Sequence, residues 1–108
     1  MEALYAFGLN AEECHELESI FKKVPEVSKV ILYGSRARGD FRENSDIDLS
    51  LVGDSLTEQH LLKIKHLLYE SCLPYFTDVH LYSDISNDDF RSNIQRDGKI
   101  IYRRTGEQ

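Results

Sequence analysis

Apolar positions along the chain change period several times, and each change marks an element. Cys14, Leu17, Ile20 and Phe21 fall on one face at helical spacing, and Asn10 with Glu13 three residues on forms a capping-box pattern ahead of them. Pro25 closes that helix. Val30-Ile31-Leu32-Tyr33 is a β-prone run that stops at Gly34, and Ile47 to Val52 alternates apolar and polar before a Gly53-Asp54 turn, so both read as strands. Ser55-Leu56-Thr57-Glu58 reads as a second capping box, and Leu61, Leu62, Ile64, Leu67 and Leu68 give an amphipathic helix that should stop before Pro74. Val79 to Tyr82 predicts a third strand. Ser86 with Asp89 opens a short helix carrying Phe90 and Ile94, Gly98 ends it, and Lys99 to Tyr102 predicts a fourth strand. This order predicts an α/β (α+β) fold, a mixed β-sheet of about four strands with flanking helices, as one domain over residues 1–108.

Composition narrows the partners. The net charge of −6, with 13 Lys and Arg against 19 Asp and Glu, argues against a long nucleic acid as ligand, because such binding rests on many basic contacts to phosphates. It leaves a nucleotide open. There is no 18-residue apolar run, and the opening Met1 to Phe7 lacks the charged and apolar regions of a signal peptide, so no membrane association and a cytoplasmic location are expected. Cys14 and Cys72 show neither a CxxC nor metal-ligand spacing with a His, and both read as reduced helix residues.

The segment from Leu32 to Leu49 carries the chemistry. A strand that runs into Gly34-Ser35 and turns at once offers backbone N–H groups and a hydroxyl at one point, which suits a phosphate. It is not a P-loop, since Gly39 is followed by Asp40 with no Lys-Ser/Thr pair. Asp46 and Asp48 are two apart in a strand-like run and point to one face, while Ile47 and Leu49 point to the other. Two adjacent carboxylates repel each other unless a cation lies between them, and Mg²⁺ characteristically takes one or two carboxylates plus phosphate oxygens; the plain alternative is a solvated strand end. A calcium loop counted from Asp46 fails, with Leu51 where Gly is needed and Thr57 where the bidentate Glu is needed. Asp78 enters the next strand. If that strand lies beside the first, its carboxylate joins the other two in a three-acid site able to hold two cations. Arg36 and Arg38 are candidates for neutralising phosphate charge, unless they only pair with Asp40 or Glu43. His80 and the Arg103-Arg104 pair read as ordinary surface or packing residues.

Gly34-Ser35, ten residues, then Asp46-Ile47-Asp48 resembles the GS-x10-DxD signature of the DNA polymerase beta-like nucleotidyltransferase superfamily. Gly-Ser-Arg-Ala-Arg-Gly with Ser-Asp-Ile-Asp-Leu is similar to its minimal nucleotidyltransferase (MNT) branch. The resemblance implies the polymerase beta-like nucleotidyltransferase fold, with Gly34, Ser35, Arg36 and Arg38 binding the nucleotide, and Asp46, Asp48 and Asp78 as catalytic residues holding Mg²⁺, two ions when loaded. It further implies transfer of a nucleoside monophosphate, AMP foremost, from ATP or another NTP to a hydroxyl with release of pyrophosphate. In that branch many members are encoded with a helical HEPN-family protein and act as its antitoxin, and some adenylylate a tyrosine of that toxin, so the resemblance implies an HEPN-family partner and an antitoxin role in a toxin–antitoxin system. An alternative from another class is a non-catalytic nucleotide-binding antitoxin that neutralises its partner by forming a complex. A core that extends RNA ends is disfavoured by the negative charge.

Overall fold

The computed structural model describes residues 7–104; of the segment Met1 to Phe7, read as lacking the regions of a signal peptide, residues 1–6 lie outside them. The elements follow in the order α1 (Ala11–Lys22), β1 (Lys29–Tyr33), α2 (Gly34–Arg38), β2 (Ile47–Val52), α3 (Glu58–Tyr69), β3 (Thr77–Leu81), a 3₁₀ turn (Tyr82–Asp84), α4 (Asp88–Asp97) and β4 (Lys99–Arg103). The strands form one sheet in the order β3-β2-β1-β4. β1 is antiparallel to both β2 and β4, whereas β2 and β3 run parallel and are joined across α3. The sheet is therefore mixed, as the element order predicts. Among the described residues no helix is long and apolar enough to cross a membrane.

Local chemistry explains the helix starts. The Asn10 side chain accepts the Glu13 N–H at 2.8 Å and the Glu13 carboxylate accepts the Asn10 N–H at 3.0 Å, the expected reciprocal box. At α3 the box is shifted. Leu56 N–H donates to Gly53 O at 3.3 Å, so Ser55 is taken up by a turn, and Thr57 caps instead, its N–H donating to His60 Nδ1 at 3.0 Å. Asn87, not Ser86, caps α4, accepting the Phe90 N–H at 2.9 Å. Cys72 lies beyond the end of α3 and is exposed, while Cys14 is buried in α1.

Strand alternation gives the sheet two unlike faces. On one, Val30, Leu32, Ile47, Leu49, Leu51, Val79 and Leu81 are buried with Leu17, Ile20 and Phe21 of α1 and Leu61, Ile64 and Leu68 of α3 in one apolar cluster. Leu62, expected in that core, is 56% exposed because it points off the buried stripe of α3. A bulge between Val30 and Ile31 breaks the alternation of β4, and consecutive Ile101 and Tyr102 are both buried. The other face carries Ile31, Tyr33, Asp48, Ser50, Asp78 and His80. Helix α4 covers only its β1 side: Tyr33 meets Phe90, and a Cβ on Gly98 would lie 2.7 Å from Ile31 Cγ2. Asp78 and His80 of β3 stay exposed.

Candidate active site

β1 ends at Tyr33 and the chain turns into α2 within one residue. That turn needs Gly34, whose φ of 76° lies in the left-handed region and whose missing Cβ would stand 2.3 Å from Asp48 Oδ2. The glycine thus lets the start of α2 lie directly against a carboxylate. Ser35 follows, partly buried, and its carbonyl accepts the Gly39 and Asp40 N–H groups, ending α2 at Gly39 with φ of 91°.

Register then gathers the acids. Tyr33 pairs with Asp48 across the antiparallel ladder, and Asp48 pairs with Asp78 across the parallel one, so the three stand in a row on the partly uncovered face. Asp46 sits one residue before β2 and is exposed. His80, two residues beyond Asp78 on the same face, brings Nε2 to 3.0 Å from Asp78 Oδ1. Partial burial, then the charges of Asp78 and Asp46, push the Asp48 carboxyl above its ordinary range, against the opposite pull of Arg38 and His80. Burial, with Asp78 and Asp48 nearby, raises the Tyr33 hydroxyl well above its usual range.

Among the described residues no group of three or more His, Cys, Asp or Glu side chains is arranged to hold a metal ion by itself. An all-protein cage of the calcium type therefore does not fit. The donors present are carboxylate oxygens in register on neighbouring strands, with a mutual repulsion expressed at Asp48. Such a set fits Mg²⁺, which keeps several waters and completes its shell with phosphate oxygens.

The two arginines part company. Arg36, expected to face phosphate, is 1% exposed and turned the other way. Its guanidinium donates to Ser45 O at 2.8 and 3.2 Å and to Phe7 O at 2.9 Å, and lies over the rings of Tyr75 at 4.3 Å and Phe41 at 5.3 Å. With its donors taken by backbone carbonyls and its faces by aromatic rings, Arg36 is a strut that ties the loop before Asp46 to the N-terminal segment. Arg38 remains half-exposed, with only a loose contact of 3.3 Å to Asp40, on the side of Asp48.

Sequence reasoning passed over Tyr33, Phe90 and Asn93, which border a hollow beside Gly34. Tyr33 reads as the last core residue of a strand, and nothing at Asn93 distinguishes it from any polar helix position. The one available signal was Tyr33's place directly before the glycine.

Residues 15–107 match the family profile described as "Polymerase beta, Nucleotidyltransferase". A Methanocaldococcus jannaschii protein named "Putative protein adenylyltransferase" is 34% identical over 86 residues, 70% of this chain and 79% of that protein. Among solved structures, one chain of a toxin-antitoxin crystal structure with AMP-PNP superposes with a TM-score of 0.67 at 18% identity, covering 85% of this chain and 74% of that one. A crystal structure described as a putative nucleotidyltransferase from Sulfolobus solfataricus gives a TM-score of 0.55 at 19% identity, covering 87% and 79%. At these identities the structural likenesses establish the fold.

Proposed function

Since this chain belongs to the polymerase beta nucleotidyltransferase family and is a nucleotidyltransferase, we propose that it transfers AMP from ATP to a hydroxyl of a partner protein, acting as a cytoplasmic antitoxin to an HEPN-family toxin. The observation that carries this reading is the row of Asp48 and Asp78 in register beside Gly34, with Asp46 at the start of β2. The name of the M. jannaschii relative supports adenylyl transfer to protein, and the fold shared with a chain of a toxin-antitoxin crystallised with AMP-PNP supports both an ATP-like substrate and a protein partner.

In this reading Asp46, Asp48 and Asp78 hold Mg²⁺, and the backbone and hydroxyl at Gly34-Ser35 bind phosphate oxygens, with Arg38 supplying positive charge. Bound Mg²⁺ supplies counter-charge to the phosphates and to the carboxylates. The acceptor oxygen forms a bond to the α-phosphorus as the bond from that phosphorus to the bridging oxygen of the pyrophosphate breaks, and pyrophosphate leaves. The acceptor's proton must go to a nearby base. Asp78 is exposed on the outermost strand of the set and is the one of the three that His80 contacts, at 3.0 Å, so Asp78 is assigned that role.

Purified chain incubated with the candidate HEPN partner, Mg²⁺ and labelled ATP should label the partner, while Asp48→Asn should not. Equal absence of label with wild type and Asp48→Asn for every NTP rejects the catalytic reading. Full protection from the toxin by an Asp46→Asn/Asp48→Asn double variant that still forms the complex favours neutralisation by binding alone.

A further inference from the structure

Next to Gly34, on the side away from β3, a hollow of about 210 Å³ opens between β1, α2 and α4. Tyr33, Arg38, Phe90, Asn93 and Asp97 line it together with Gly34 itself, so it is continuous with the corner where the phosphates are assigned. Tyr33, one of its walls, carries an unsatisfied group. Tyr33 is 9% exposed and its hydroxyl has no hydrogen-bond partner. A buried hydroxyl without a partner is a standing cost, and such exceptions in a folded chain call for a functional explanation.

The walls suit a flat ring. Phe90, 39% exposed for so large an apolar side chain, meets Tyr33 edge to face with centroids 5.6 Å apart, leaving aromatic surface turned to the opening. Asp97 is already engaged by Arg96 through two hydrogen bonds of 3.0 and 3.1 Å, so it is not the free acceptor of the site. Asn93 offers an amide, which presents one donor face and one acceptor face together.

We propose that this hollow receives the base of the nucleotide and favours adenine, with Phe90 and Tyr33 as its aromatic walls and Asn93 as the residue that selects it. The donor–acceptor pair of an Asn amide matches the adjacent N6 donor and N7 acceptor of adenine, whereas guanine presents two acceptors on the same edge. An acceptor side chain is the rival occupant. The base is favoured because the opening adjoins Gly34 and lies across Tyr33 from Asp78, the carboxylate assigned to the acceptor.

This inference rests on the proposed function, and one titration separates the two. AMP-PNP, GTP, CTP, UTP and inorganic tripolyphosphate are titrated into the full chain with Mg²⁺ by calorimetry. Wild type should prefer AMP-PNP, and Phe90→Ala should weaken it roughly 5- to 150-fold, the range seen when a base loses an aromatic stacking partner. Asn93→Ala should flatten the preference for AMP-PNP over GTP. Neither variant should alter tripolyphosphate binding. Both positions are exposed, and circular dichroism checks that the variants fold. Wild-type binding of AMP-PNP no tighter than tripolyphosphate, or unchanged AMP-PNP affinity and preference in both variants, overturns the base pocket while leaving the transferase reading intact. Unchanged nucleotide affinity with lost transfer to the partner assigns the hollow to the acceptor and also overturns it. Failure of wild type to bind any of the five ligands overturns the proposed function itself.

Discussion

The two faces of the sheet are built from the same strands and obey opposite rules. Beneath α1 and α3, Leu49 and its neighbours are 0–5% exposed, all apolar, and packed into a continuous cluster. One residue earlier and later along β2, Asp48 and Ser50 face the side that α4 half covers, where a carboxylate is pressed by two others and the Ser50 hydroxyl is buried without a partner. The first face does what folding alone requires. The second keeps polar groups where they weaken the fold, and departures of that kind cluster where a ligand is bound.

The comparison is broken most directly from its apolar side. Leu49→Ala should lower stability by about 2–5 kcal/mol, read from the urea midpoint, because the site cannot collapse around the lost methyl groups. A cost below about 1 kcal/mol would mean that the α1/α3 face is loosely packed.

Asp48→Asn makes the opposite test on the adjacent residue. Transfer should fall by about a hundredfold or more, given the several kcal/mol that metal-centred charge stabilisation supplies. Stability should rise at neutral pH. The Asp48 carboxyl of the folded chain titrates above its ordinary 3.8, so the native state holds the proton more tightly than the unfolded state does. Wild type therefore loses stability as pH rises from that value through the raised one. The advantage of Asp48→Asn should appear across that window and vanish below it, and thermal melts at pH 3 to 8 without Mg²⁺ check this. A variant less stable than wild type at pH 7 would show that the carboxylate supports the fold.

Gly34→Ala should sharpen the contrast. A left-handed φ costs a residue with a Cβ about 1–2 kcal/mol, and the new methyl would displace the Asp48 carboxylate. Stability should drop by about that amount, while nucleotide transfer should fall far more steeply. Equal proportional losses in the two would contradict a role for the close approach of Gly34 to Asp48.

The smallest effect belongs to Ser50→Ala. Removing a buried hydroxyl that has no partner should be neutral or stabilising by up to about 1 kcal/mol in a chemical melt. Destabilisation of that size would reveal a partner for the hydroxyl.

Much of this was legible in the residues. The Asn10/Glu13 box, the alternation of Ile47 to Val52 and the stripe of α1 are local patterns, and local backbone and solvation preferences decide them. The spacing from Gly34-Ser35 to Asp46 and Asp48 likewise lies in one contiguous segment. Cap choice was less legible: Ser55 and Thr57 are both competent, and only the Gly53–Leu56 turn assigns Thr57 the position. Leu62 looked buried because a helical stripe has no sharp edge in sequence.

By itself the sequence determined the four strands and the three longer helices, the family signature and the pair Asp46/Asp48, because each depends on neighbours a few residues away; the short helix at Gly34–Arg38 and the 3₁₀ turn at Tyr82–Asp84 were not among them. Tertiary structure alone decided which groups met. Parallel pairing of β2 with β3 brought Asp78 beside Asp48 across 30 positions, and the packing of α4 on β1 set Phe90 against Tyr33 and Asn93 at the rim of the same hollow. It also decided between two arginines two residues apart. Residues two apart on a helix point to nearly opposite sides, so Arg36 was enclosed by Tyr75 and Phe41 while Arg38 stayed at the site. The identity of a side chain states what it can bind, and only its surroundings determine whether that capacity is already spent.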